Sequence, residues 1–163
     1  MTTPAGGDRP LTGGETDLVS EVFGAAVSPA RVRLRRRRWF PLQPLETVMA
    51  PCGHIHFHPH SSRWSEDFSK EGAALRGLFV HEMVHVWQAQ TRGKLWLPLM
   101  RHPFCRYDYV VKEGWPLARY GIEQQAEIVR HAHHATRGEP VPPAIPPDWL
   151  AARLAEVQQR TSY

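Results

Sequence analysis

Cysteine is scarce: Cys52 and Cys105 are the only two in 163 residues, and they lack Cys-x-x-Cys spacing. A disulfide framework is thereby excluded, and both read as reduced packing residues. Long apolar runs are missing too, since no stretch approaches the roughly 20 apolar residues that a membrane-spanning helix needs. The segment Met1–Pro10 has neither a basic start nor an apolar run and does not read as a signal peptide. No internal repeat is visible. The excess of positive charge is slight, with 20 Lys and Arg against 16 Asp and Glu. The acids are spread throughout and no nucleic-acid-binding motif is present, so nucleic acid is not an expected partner. What remains is a globular composition of single-domain length, able to bury a real core.

The informative stretch is Leu78-Phe79-Val80-His81-Glu82-Met83-Val84-His85-Val86-Trp87-Gln88. Residues four apart share one face of a helix, so His81 and His85 can grip one metal ion while Glu82 lies beside them, free to handle a water. Apolar residues surround this polar stripe on every other side, the pattern of a centrally buried helix. Burying a Glu and two His without partners would cost several kcal/mol, which argues for an ion between them. A catalytic zinc takes three protein ligands and leaves a position for water. Glu123 is the candidate third ligand, in a second helical pattern that includes Ile122, Ala126 and Val129. Glu123, Ala126, Glu127 and Arg130 share a face there, and the small Ala126 would allow close approach to the first helix. Glu127 would accept a hydrogen bond from the free ring nitrogen of a metal-bound His, with Gln88 as a further supporting residue. A solvated face carrying Glu123 and Glu127, with Glu127 paired to Arg130 or His131, is the competing reading.

The remaining elements follow from local signals. Thr12-Gly13-Gly14-Glu15 is a capping box, opening a helix to about Ala26 whose apolar stripe would cover a sheet. Arg31 to Arg35 alternates as a half-buried strand, and Glu46–Ala50 with His54–His58 suggests a hairpin turning at Pro51-Cys52-Gly53. The metal helix should run from about Ala73 to Gln90 and stop before Gly93. Leu95 to Arg119 is an aromatic, Pro-interrupted connection of the kind that walls a cleft. The second helix spans about Gly121 to Thr136, and a Pro-rich linker, Pro140 to Pro147, leads to a last helix from Asp148 to about Gln159.

The His-Glu-x-x-His pair followed by Glu-x-x-Ala-Glu at Glu123 to Glu127 resembles gluzincin metallopeptidases, in which the first Glu of the second motif is the third zinc ligand. Many gluzincins carry Asp where this chain has Glu127. Leu11 to about Ala135 also looks like short bacterial Vgr-related proteins, similar to the metallopeptidase-like domain of extracellular contractile injection systems. The wording shared with them includes Leu11-Thr12-x-Gly14-Glu15, His54 to Pro59, His81 to Gln88 and Glu123 to Val129. The resemblance implies an α+β, zincin-like domain: a small sheet with an edge strand beside a central metal-binding helix, plus packing helices. The expected layout is a flexible N-terminus over 1–10, the zincin-like domain over 11–138, and a linker with a C-terminal helix packed on the domain over 139–163. The implied activity is zinc-dependent peptide hydrolysis with one Zn2+ per chain, possible linkage to a secretion or injection apparatus, and a peptide or protein substrate. The alternative is a non-catalytic zinc-binding accessory module. The expected address is the bacterial cytoplasm by default, with export by a dedicated system left open.

In this reading His81, His85 and Glu123 hold the metal and Glu82 is the general base. The developing oxyanion needs a donor, for which Arg130, Tyr120 and His134 are candidates. His54-Ile55-His56-Phe57-His58 is read as an edge strand able to pair with an extended peptide, with His56 and His58 flanking the cleft. A second metal site on that strand competes with this, but alternate residues are too widely spaced for all its His to reach one ion. Arg35-Arg36-Arg37-Arg38 is read as a solvated strand face.

Overall fold

Thr12 Oγ1 accepts the Glu15 N–H at 3.1 Å while the Glu15 carboxylate accepts the Thr12 N–H at 2.8 Å, and α1 (Gly13–Phe23) follows from that cap. The structure, a computed structural model, describes residues 2–159. Glu15 is fully buried, but Arg9 holds both of its oxygens at 2.7 and 2.8 Å and the Phe68 N–H adds a bond to that of Thr12. These charge-assisted bonds make the buried carboxylate tolerable. Beyond Phe23 the chain tightens into a 3₁₀ turn, Gly24–Ala26, so the α-helix stops short of Ala26. Its apolar stripe packs chiefly on the turn at Phe68–Lys70 and on the last helix, α5 (Pro147–Gln158), and not on the sheet as expected.

The sheet has three short strands in the order β1 (Asp8–Pro10), β2 (Arg33–Arg35), β3 (Ile55–His56). β1 runs antiparallel to β2, so Asp8–Pro10, part of the N-terminus expected to be flexible, are held in the sheet. Farther out, Thr3 donates both its N–H and its hydroxyl to Glu66. β2 is shorter than expected because Pro29–Arg31 winds into a 3₁₀ turn, with proline fixing the backbone at its start. β3 lies parallel to β2, and the expected hairpin reduces to one antiparallel bridge between Met49 and His56 on β3's far side.

Two helices form the centre: α2 (Ala73–Arg92) and α4 (Ile122–Thr136). Val80, Met83, Val84 and Val86 on α2 and Ala126, Ile128 and Val129 on α4 are all buried. The helices approach closely at Gly77, where an added Cβ would lie 2.5 Å from His134 Nε2. Gly93, with φ at 97°, ends α2 in a conformation that favours glycine. A short helix, α3 (Trp96–Met100), interrupts the long connection. α5 covers α4 through Leu150 and Val157, while residues 160–163 of the expected C-terminal unit lie outside the described residues. The described residues form an α+β fold of a small three-stranded sheet and five α-helices. Among the described residues, no helix is long and apolar enough to cross a membrane.

Candidate metal centre

The i, i+4 spacing on α2 turns both imidazoles toward α4, whose first turn carries Glu123. His81 Nε2 and His85 Nε2 lie 3.2 and 3.1 Å from the same atom, Glu123 Oε2. One ligand atom from each of the three residues falls within 4.8 Å of the others, and all three residues are buried. The opposite ring nitrogens are occupied: His81 Nδ1 is 2.8 Å from Glu127 Oε1, and His85 Nδ1 is 2.9 Å from Gln88 Oε1. Because those oxygens accept, each Nδ1 carries the proton, and a neutral imidazole then presents a bare Nε2 lone pair to an anionic oxygen. Two lone pairs and a carboxylate converging on one point repel unless a cation sits between them. This set of two imidazoles and one carboxylate suits zinc.

Without a metal, protons take its place. Burial opposes charge on His81, but the bonds to Glu123 and Glu127 outweigh it and hold its pKa up at about 9. Burial likewise raises Glu123, yet hydrogen bonds from His81 and His85, with the charges of His85 and Arg101, hold it well below the usual carboxylate range. Glu82 goes the other way. It is buried beside the ligands, Oε2 has no hydrogen-bond partner among the described residues, and desolvation pushes its pKa up despite the nearby His81 and His85.

Glu82 and His81 open onto a cleft of about 500 Å³ that Arg101, Tyr107, Glu127 and Arg130 also line. Arg130 Nη1 lies 3.2 Å from Glu127 Oε1, so this candidate stands in the cleft. Tyr120 does not. Its hydroxyl donates to Val110 O and accepts the Lys112 N–H, in an aromatic cluster with Trp115 and Trp149, which removes it as an oxyanion donor. His134 is likewise engaged elsewhere, with Glu139.

Two residues escaped the sequence reading. Arg101 places Nη2 3.2 Å from Glu123 Oε1, the oxygen turned away from the histidines. Tyr107 stacks on His81 with ring centroids 6.1 Å apart and lines the cleft beside Arg101. Both belong to the connection expected to wall a cleft, and its aromatic and basic content was the available signal.

The free strand edge also differs from the expectation. His56 exchanges both backbone bonds with Met49, at 2.7 and 3.1 Å, while β2 covers its other side. The His58 ring is wedged between the Arg38 guanidinium, at 2.8 Å, and the His60 N–H, at 3.1 Å. Neither offers an open edge to a peptide. The outermost segment is the one around Met49, where Val48 has no backbone partner among the described residues and lines the cleft. No second group of converging metal ligands forms at His54–His60 among the described residues.

Known proteins share this arrangement of elements. The solved effector domain of Pseudomonas aeruginosa VgrG2b superposes with a TM-score of 0.73 at 34% identity, covering 96% of this chain and 88% of that one. The chain belongs to the family of that effector domain. In sequence, it is 40% identical over 129 residues to the type VI secretion system spike protein VgrG2b of Pseudomonas aeruginosa, a match covering 75% of the chain. The chain spans only 12% of the length of that spike protein. No family model matches the sequence.

Proposed function

We propose that the chain is a zinc-dependent, gluzincin-like peptidase of zincin-like fold, acting as an effector module delivered by a type VI secretion spike. The observation that carries this is a buried carboxylate, Glu82, with an oxygen that has no partner among the described residues, beside a His81, His85 and Glu123 ligand set on a cleft. A metal site serving stability alone needs no such group and is usually closed by four protein ligands.

His81, His85 and Glu123 would hold the ion. Zinc bound there supplies a Lewis acid that acidifies a water and polarises a scissile carbonyl. Glu82 Oε2 takes the proton from the attacking water and returns it to the leaving amine. Arg101 fixes the outer oxygen of Glu123. Tyr107 replaces Tyr120 as the hydroxyl donor for the oxyanion, with Arg130 as a second donor in the cleft. An extended peptide would pair with the backbone of Val48 in place of His56 and His58. The unit built around α2 and α4, with α5 packed on it, would act as one module.

The test combines zinc analysis with cleavage of a broad peptide library by the purified protein and by Glu82→Gln. We expect about one zinc per chain in both proteins, and hydrolysis that falls about 10²- to 10⁴-fold in the variant. Full zinc with no cleavage by the unaltered protein would give way to the accessory-module reading, and cleavage that survives in Glu82→Gln would overturn the mechanism.

A further inference from the structure

Ten large hydrophobic side chains are exposed among the described residues, and nine fall in two short stretches, 36–45 and 92–107, with Val110 just beyond. Leu42, Leu99 and Phe104 are 83%, 81% and 85% exposed, so they make little contact with the rest of the protein. The stretches meet: Trp39 from the first and Leu97, Pro98 and Arg101 from the second line a cavity of about 210 Å³ next to His85. Together they form an apolar rim on one side of the candidate metal centre. Scattered exposed hydrophobics are ordinary, whereas a concentration of this kind marks an interaction surface.

Charge follows the same two stretches. They hold Arg36, Arg37, Arg38, Arg92, Lys94, Arg101 and Arg106 and no acidic residue, which leaves the remainder of the chain with 13 basic against 16 acidic side chains. Arg36 and Arg101 are turned inward, to backbone oxygens and to Glu123 respectively, Arg106 is paired with Asp108 at 2.7 Å and Arg37 lies 3.8 Å from Asp8, while Arg38, Arg92 and Lys94 are exposed. The positive excess of the protein is therefore concentrated on its apolar rim. Trp, Phe and Leu interleaved with Arg and Lys is the composition that lies in the headgroup region of a bilayer, with rings and aliphatic chains entering and cations meeting lipid phosphates.

We propose that residues 36–45 and 92–107 seat the protein peripherally on an anionic lipid surface, with the mouth of the cleft facing the bilayer. Nucleic acid would account for the cations and the aromatic rings but not for Leu42, Leu95, Leu99 and Met100, which have no role in stacking or phosphate contact. A second copy would bring two rims of net positive charge together, and their repulsion disfavours that pairing. The inference stands apart from the peptidase reading, since it uses neither the metal nor Glu82.

The experiment is sedimentation of the full chain with vesicles of phosphatidylglycerol and phosphatidylethanolamine, beside vesicles of phosphatidylcholine alone, with Leu99→Asp/Phe104→Asp as the variant. Both side chains project into solvent, so the fold and zinc content should be unchanged. We expect binding to the anionic vesicles, weakened by added salt, absent on phosphatidylcholine, and reduced about tenfold or more in the variant. No binding to anionic vesicles, or equal binding by the variant, would overturn the proposal. So would a dimer in solution that the double substitution dissolves without any vesicle binding, because the rim would then be covered by a second copy.

Discussion

Gln88 donates its amide N–H to Gln125 Oε1 at 3.1 Å, and this pair sets the tautomer of a histidine neither residue resembles in role. Gln125 in turn donates to the Tyr120 carbonyl at 2.7 Å, so its own oxygen must face Gln88. That leaves Gln88 Oε1 as the acceptor for His85 Nδ1–H. The direction of the whole chain follows from a backbone carbonyl that can only accept, and Nε2 of His85 is left as the lone pair directed at the ligand cluster.

Breaking that chain should therefore weaken metal binding without removing a ligand. Gln88→Leu is expected to lower zinc affinity about 10- to 100-fold, while Gln88→Glu, which keeps an acceptor for His85, should lose less. Competition against a chromogenic chelator measures both. Equal affinity in Gln88→Leu and the unaltered protein would show that the amide chain is incidental.

Two tyrosines should separate cleanly. Tyr107→Phe removes a hydroxyl in the cleft and is expected to reduce hydrolysis about 10²- to 10³-fold with zinc retained. Tyr120→Phe removes a buried hydroxyl with two backbone partners, so it should cost about 1–3 kcal/mol of stability and leave the rate per folded molecule nearly unchanged. Steady-state kinetics paired with thermal melts distinguish the two, and a rate loss confined to Tyr120→Phe would reverse the assignment.

What could be read from the sequence follows the range of the interactions involved. His81, Glu82 and His85 are set by the pitch of a single helix, and Glu123 and Glu127 by a second helix of the same periodicity, so spacing alone brings them to facing surfaces. Arg101 and Tyr107 sit in a connection with no period of its own, and only its folding over α2 brings them to the site. The strand error has the same origin. Whether Glu46–Ala50 or His54–His58 is outermost depends on which pairs with β2, and nothing local to either segment encodes that choice. Tyr120 misled because it precedes Glu123 closely in sequence, yet it lies before the helix begins and points its hydroxyl to Val110 and Lys112.

Close helix approach at Gly77 gives a packing prediction. Ala is the better helix former by about 1 kcal/mol, so on propensity alone Gly77→Ala would stabilise α2. Its Cβ, however, would meet the His134 ring, which is held by Glu139, itself paired with Arg76. Overpacking of that kind costs about 1–3 kcal/mol, and we expect a net fall in Tm of a few degrees. In a His134→Ala background the same substitution should instead be neutral or stabilising. A destabilisation of equal size in both backgrounds would remove the ring contact as the cause.

His133 supplies the pH dependence. It is 1% exposed on α4, and neither ring nitrogen has a hydrogen-bond partner among the described residues. Burial first, then the positive charges of Arg137, His134 and Arg76, lower its pKa from 6.5 to about 4. The sign follows from which state takes the proton. Below pH 6.5 the unfolded chain protonates this imidazole while the folded protein resists until about pH 4, so stability is full above 6.5 and is lost across that interval. His133→Leu keeps an apolar side chain of similar bulk and removes the titration. Other acid-sensitive groups, the metal ligands included, are common to both proteins and cancel in the comparison. The Tm of the variant relative to the unaltered protein should therefore rise as the pH is lowered from 7.5 to 5, and a difference independent of pH would mean that His133 finds a proton acceptor in the folded state.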